Sequence, residues 1–248
     1  KVIVNQEDSY RLDSLSTINF NSDGIGSKNE SSYDENGNRT LRINYNWDTE
    51  SQSFVPRSKF ESSYDENGNG TLWIRYEWDT ESQSFVPGSK YEYSYDENGN
   101  ETLFIRYNWD IESFVPSSKY ESSYDENGNR TLRINYNWDT ESQSFVPNGK
   151  FESSYDENGN QTLRIDYVWD RESQSFVPYD KYEYSYDENG NRTLYIRYNW
   201  DTESQSFVPN YKEEYSYDEN NFKTNETYYN WNTSLGVYKP SFKMDIST

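Results

Sequence analysis

The residues able to do chemistry in this chain are carboxylates and amides, set in recurring pairs and short alternations. Asp34/Glu35, Asp65/Glu66 and Asp79/Glu81 come back as equivalents along the whole sequence. Hydrolases that work with two carboxylates need one neutral and one ionised, and unlike surroundings create that difference. Pairs repeated in like surroundings do not create it. There is no His to serve as a base near neutral pH. There is also no Cys nucleophile, and no nucleotide-binding loop is present. The sequence reads as a protein that is not an enzyme.

Three binding chemistries remain. Asp34-x-Asn36-x-Asn38, repeated as Asp65, Asn67 and Asn69, places oxygen ligands at alternate positions, as calcium loops begin. Here Gly37 comes too early for such a loop, and Tyr45 stands where its closing Glu belongs. A hairpin turn in which Asp accepts local backbone N–H groups explains the same residues. These residues establish no cofactor; the one they could take is calcium, as a weak effect that relieves repulsion among acids. Asn-x-Thr sequons stand at Asn38, Asn69, Asn100, Asn129, Asn160, Asn191 and Asn225 and are glycosylation candidates in a secretory pathway. Asn in a turn followed by strand-forming Thr accounts for them equally. Last, Trp73, Phe104 and Tyr195 interrupt a run of polar positions and could contact glycans or protein.

Composition limits the partners. The 248 residues hold 23 Lys and Arg against 44 Asp and Glu, a net charge of −21. Such a chain repels nucleic acid and anionic membrane surfaces, so neither is an expected partner. No apolar run approaches the length needed to cross a membrane. Only 31% of residues are hydrophobic, yet 19% are aromatic, with 26 Tyr and 8 Trp. Low hydrophobicity with high charge would signal disorder, but disordered chains are poor in aromatics, so this one is expected to fold. It opens at Lys1 without Met or a leader, as a mature product would.

The elements that position these groups come from a repeat. Ser-Tyr-Asp-Glu-Asn-Gly-Asn begins at Ser32, Ser63, Ser94, Ser123, Ser154 and Ser185, and degrades at Ser216. The spacings are 31, 31, 29, 31, 31 and 31 residues. Residues 28–219 are the array; 1–27 are a divergent N-terminal cap and 220–248 a degenerate C-terminal cap. Leu41, Ile43, Tyr45 and Trp47 alternate with polar residues, which is strand patterning. Phe54, Pro56, Ser58, Phe60, Ser62 and Tyr64 alternate likewise against Val55, Arg57, Lys59 and Glu61. Asp34 to Gly37 is expected to form a type I turn with Gly37 left-handed in a bulge, pairing Tyr33 with Arg39 and Ser31 with Leu41. The loop from Asp48 to Ser53 sets Trp47 beside Phe54. In one repeat the loop after Trp109 is two residues shorter. A change of two keeps every side chain on its face, where a change of one would reverse them. The expected fold is all-β: tandem β-hairpins in a long antiparallel meander with one aromatic and one polar face. The aromatic face must be covered, by coiling into a solenoid or shell or by stacking in a filament.

Tyr93-Ser94-Tyr95-Asp96-Glu97-Asn98-Gly99-Asn100 resembles the YD repeats of Rhs and teneurin-type proteins. With Trp-Asp, Phe-Val-Pro and Lys-Tyr-Glu-Tyr added, the repeat is similar to those of secreted Bacteroidota proteins. The likeness covers residues ~28–220, although this repeat is longer than the usual YD repeat and lacks its further glycines. The resemblance implies a secreted scaffold of spiralling hairpins. The expected function is that of an extracellular or cell-surface structural and adhesive protein. Its partners are further copies of itself, met end to end or face to face, or surface glycans bound by an adhesin module.

Overall fold

The computed structural model describes residues 14–20 and 26–246; most of the N-terminal cap, including Asn21, lies outside them. The chain forms sixteen strands. β1 (Ser14–Phe20) and β2 (Gly26–Tyr33) come first, followed by β3 (Arg39–Asp48), β4 (Ser53–Tyr64), β5 (Gly70–Asp79) and β6 (Ser84–Tyr95). Next are β7 (Glu101–Asp110), β8 (Ser113–Tyr124), β9 (Arg130–Asp139), β10 (Ser144–Tyr155), β11 (Gln161–Asp170) and β12 (Ser175–Tyr186). β13 (Arg192–Asp201), β14 (Ser206–Tyr217), β15 (Lys223–Asn232) and β16 (Val237–Asp245) complete the set. They lie in one sheet in sequence order, a continuous antiparallel meander with β1 and β16 at its ends. By internal contacts the chain divides into an N-terminal body, residues 1–119, and a C-terminal body, residues 120–248.

The turn chemistry follows the sequence. Gly37 donates its N–H to the Asp34 carbonyl (3.1 Å), Asp34 N–H meets the Asn38 carbonyl (2.9 Å), and Gly37 sits at φ +83°. In the degenerate last repeat Asn221 takes this place at φ +64°, as the amide best able to tolerate the left-handed region. Trp47 lies opposite Phe54 and Asp48 opposite Ser53.

The register departs from expectation in two places. Leu41 pairs with Ser32, and Ser31 with Arg42. Thr40 is the extra residue of a bulge, so Tyr33 lies by alternation on the face opposite Leu41. The second departure matters more. Pro56 pairs with Tyr45 but Ser58 with Asn44, leaving Arg57 as a bulge. Gly88, Asn148, Tyr179 and Asn210 hold the equivalent place. A bulge shifts the alternation by one. Lys59 and Glu61 therefore join Leu41, Ile43, Tyr45 and Trp47, while Phe60 and Ser62 cross to the face of Arg42, Asn44 and Trp73. The division into one aromatic and one polar face is thus corrected: aromatic and charged groups occupy both.

A sheet of this kind stands without a conventional core. Among the described residues Tyr215 is the one buried hydrophobic, and strand side chains are mostly half-buried. Stability comes instead from side chains lying across their neighbours. A Trp meets a Phe edge to face beside the loop of each repeat's Trp-bearing hairpin, as in Trp78–Phe85 (5.0 Å) and Trp169–Phe176 (4.9 Å), and meets Tyr238 in the last.

The short loop stores strain. Glu112 N–H reaches back to the Asp110 carbonyl, and Ile111 between them has φ +51° and is 87% exposed. A β-branched residue in the left-handed region without packing contacts is destabilising by ~1–2 kcal/mol. Ile111→Gly is therefore expected to raise stability by about 1 kcal/mol, read as a higher urea midpoint with an unchanged slope.

Candidate functional site

The two faces differ in what they repeat. On the first, Leu41, Ile43, Tyr45, Trp47, Phe54, Pro56, Lys59 and Glu61 recur unchanged in six repeats. Their contacts recur as well. Lys59 Nζ bonds Glu61 Oε1 (2.8 Å) and sits 3.8 Å from the centre of the Tyr76 ring, whose hydroxyl donates to Glu61 Oε2 (2.7 Å). Lys90, Glu92 and Tyr107 repeat this, as do Lys150, Glu152 and Tyr167, and Lys181, Glu183 and Tyr198. The lysine ammonium lies over the ring and stays paired with the carboxylate. This is a structural ladder.

The ladder has a titration signature. Burial, then the hydrogen bond to Glu61, pushes the Tyr76 hydroxyl up to about 12; Tyr45, Tyr136 and Tyr167 are likewise raised to about 12. Burial alone would raise Glu61, but its bonds from Lys59 and Tyr76 outweigh that and hold it below the usual carboxylate range. A raised tyrosine contributes stability that is complete below its unfolded pKa near ~10 and is lost as pH rises through the folded value. A lowered glutamate contributes stability present above the unfolded value of ~4.3 and lost on acidification. Near-ultraviolet tyrosinate absorbance at about pH 11 is expected to show a large un-ionised fraction that ionises at once when denaturant is added. Full ionisation in the folded state would contradict the ladder.

The opposite face changes from repeat to repeat. One position reads Arg42, Trp73, Phe104, Arg133, Arg164, Tyr195; the next reads Asn44, Arg75, Arg106, Asn135, Asp166, Arg197. Trp73 is 39% exposed and shares a cleft of about 280 Å³ with Phe60, Ile74, Arg75, Tyr91 and Tyr93. Phe104 lies between Tyr91 (6.0 Å, stacked) and Tyr93 (5.2 Å). In the C-terminal body Tyr195 meets Tyr182, Tyr184 and Tyr211. Phe104 and Tyr195 are therefore each the centre of an aromatic group, and Trp73 lines its cleft with three further aromatics. Sequence patterning missed Phe60, Tyr91 and Tyr93 in these groups because the bulge carries them across. Comparing the repeats with one another would have found them: the positions that vary are the ones on this face.

The Asx-type residues are occupied by their own turns. Asp34 Oδ1 accepts Asn36 N–H (3.0 Å) and Asn38 N–H (2.8 Å), and its Oδ2 accepts Asn38 Nδ2 (3.1 Å). Asp65 does the same with Asn67 and Asn69. The Asn69 side-chain bond, set against a smaller opposing effect of burial, and backbone N–H groups hold Asp65 below its ordinary value. Among the described residues no group of three His, Cys, Asp or Glu is placed to hold a metal. The sequon amides at Asn100, Asn129, Asn160 and Asn191 bond their turn aspartates in the same manner. Asn225 instead bonds Asp245.

Comparison with known proteins places part of this chain beside a family without an assigned role. Residues 157–248 match the model of a family of unknown function, DUF3836. No curated protein matches. A crystal structure of a protein of unknown function from Bacteroides fragilis is 20% identical, covering 52% of this chain and 92% of that one, with a TM-score of 0.43. A DUF3836 family protein from Parabacteroides distasonis is 21% identical over 40% of this chain and 89% of its own, with a TM-score of 0.33. A TcdB2–TccC3 structure is 12% identical over 88% of this chain and 15% of its own, with a TM-score of 0.29. The chain is a tandem β-hairpin array whose last part, less than half of its length, matches the DUF3836 model.

Proposed function

We propose that this chain is an extracellular structural and adhesive repeat protein of YD-repeat character that joins end to end with further copies. The observation that carries this reading is the sameness of the hairpin edges. In β4, Ser58 to Tyr64 pairs with β5, and in β6, Ser89 to Tyr95 pairs with β7 in the same register. An edge that one hairpin fills for the next is a template that the equivalent hairpin of another copy can fill. A head-to-tail contact of this kind propagates as a filament unless it closes. Electron microscopy across a concentration series, with and without millimolar calcium, tests it. Ordered filaments support the reading; separate particles at every concentration count against it.

A second reading is favoured by the variable face. The aromatic groups around Trp73, Phe104 and Tyr195 are half-exposed rings of the kind that stack on sugars, which supports a glycan-binding adhesin. A glycan array left blank at high protein concentration would remove it.

A further inference from the structure

The N-terminal body carries a basic cleft that its acidic composition does not explain. Arg42, Phe60 and Arg75 lie in one cross-strand row, with Arg42 opposite Phe60 and Phe60 opposite Arg75. Arg57, the bulge residue, lines the same cleft of about 450 Å³, together with Lys28, Asn44 and Ser58. Beside it, Arg39, Arg42, Phe60, Ser62 and the Trp73 ring enclose a further space of about 210 Å³. The Trp73 indole reaches this place because residue 70 is glycine: a Cβ there would stand 2.7 Å from Nε1.

The arginines here are largely free to bind. Arg42 Nε bonds the Asn44 amide (2.8 Å), and Arg75 pairs with Glu77. Among the described residues Arg39, Arg42 and Arg57 meet no carboxylate. The C-terminal body provides an internal comparison, since residues 123–147 repeat residues 32–56 without a change. There Arg133 likewise bonds Asn135, and Phe151 lies opposite it. Asn148 stands in place of Arg57, Arg164 in place of Trp73 and Asp166 in place of Arg75. Asp166 pairs with Arg164 (2.8 Å), and Arg197 is taken by Asp180, which is 3% exposed. One identical segment thus lines a basic aromatic cleft in the first body, while in the second the Trp73 position holds an arginine paired with Asp166 and the Arg57 position is an uncharged amide.

We propose that this cleft binds an anionic polysaccharide, with Arg42, Arg57 and Arg39 holding its carboxylate or sulfate groups and Phe60 and Trp73 stacking on its sugar rings. The inference rests on the glycan-binding reading and gives it a place and a ligand class. Guanidinium groups match such oxyanions with two parallel hydrogen bonds. The acidic remainder of the chain repels a polyanion, so binding is confined to this patch and weakens with added salt.

Affinity electrophoresis through gels of polygalacturonate, heparin, dextran or xyloglucan tests the proposal on the full chain, with a single-stranded oligonucleotide as competitor. Retardation by an acidic polymer and not by dextran is expected; the polymer that retards identifies carboxylate or sulfate. The double variant R42A/R57A is expected to weaken binding about tenfold or more, and Trp73→Ala about tenfold. Arg133→Ala, in the identical segment, should change nothing, and circular dichroism of each variant separates lost binding from lost fold. Retardation by neutral polymers alone would overturn the anionic assignment while leaving the glycan reading standing. Retardation by none would overturn both. Equal competition by the oligonucleotide, or binding unmoved in R42A/R57A, would overturn the site.

Discussion

Trp169→Ala lowers the stability of the chain by about 3 kcal/mol. Full deletion of a buried Trp side chain costs ~3–5 kcal/mol, and Trp169 is only half-buried, which reduces the transfer contribution to about 2 kcal/mol. Its edge-to-face contact with Phe176 at 4.9 Å adds ~0.5–1.5 kcal/mol. In a sheet whose strands lean mainly on their two neighbours, no second layer closes over the gap. Urea denaturation followed by circular dichroism is expected to show the lower midpoint. Because Trp169 and Phe176 belong to one hairpin, Phe176→Ala should cost a similar amount and the double variant less than the sum. Additive losses would show that the pair does not act as a unit.

Gly159→Val is expected to cost about 2–3 kcal/mol, whereas Gly159→Asn costs well under half of that. Gly159 closes the turn between β10 and β11 at φ +81°, where a β-branched side chain meets its own backbone. A Cβ there also stands 3.4 Å from the Asn129 side chain of the preceding turn. Asparagine already fills the corresponding place at Asn221, φ +64°. Comparing the two variants separates backbone strain from mere loss of glycine, and equal midpoints would remove that explanation. The Asn variant retains the Asp156 bonds to Asn158 and Asn160.

Much of this architecture is legible in the residues. Strand positions, the left-handed Gly37 and the Trp47–Phe54 pair follow from alternation and turn chemistry. The bulge after Pro56 does not, because its residue is Arg, Gly, Asn or Tyr in different repeats and so carries no type signal. Phe60 hides it further: an aromatic at even spacing from Phe54 reads as a continuation of one face. Lys59 and Glu61 mislead in the opposite sense. They read as solvent-facing charges, yet the lysine ammonium lies over the Tyr76 ring and the carboxylate receives that ring's hydroxyl. Period alone cannot distinguish a charged residue that covers an aromatic from one that avoids it. The basic cleft was hidden for the same reason, since its residues meet only once the bulge has turned Phe60 toward Arg42.

The unchanging ladder has a genetic consequence. Two stretches of 25 residues, 32–56 and 123–147, are the same, and coding segments this alike invite unequal crossing-over. Exchange between them adds or removes the 91 residues that separate their starts, three repeats and six whole strands, so every flanking side chain keeps its face and its Lys–Glu–Tyr neighbours. The reading frame of the gene and the pleat of the sheet are thus preserved by one event. The number of strands becomes a heritable quantity that changes in even steps without refolding, while point substitutions on the variable face leave the ladder intact.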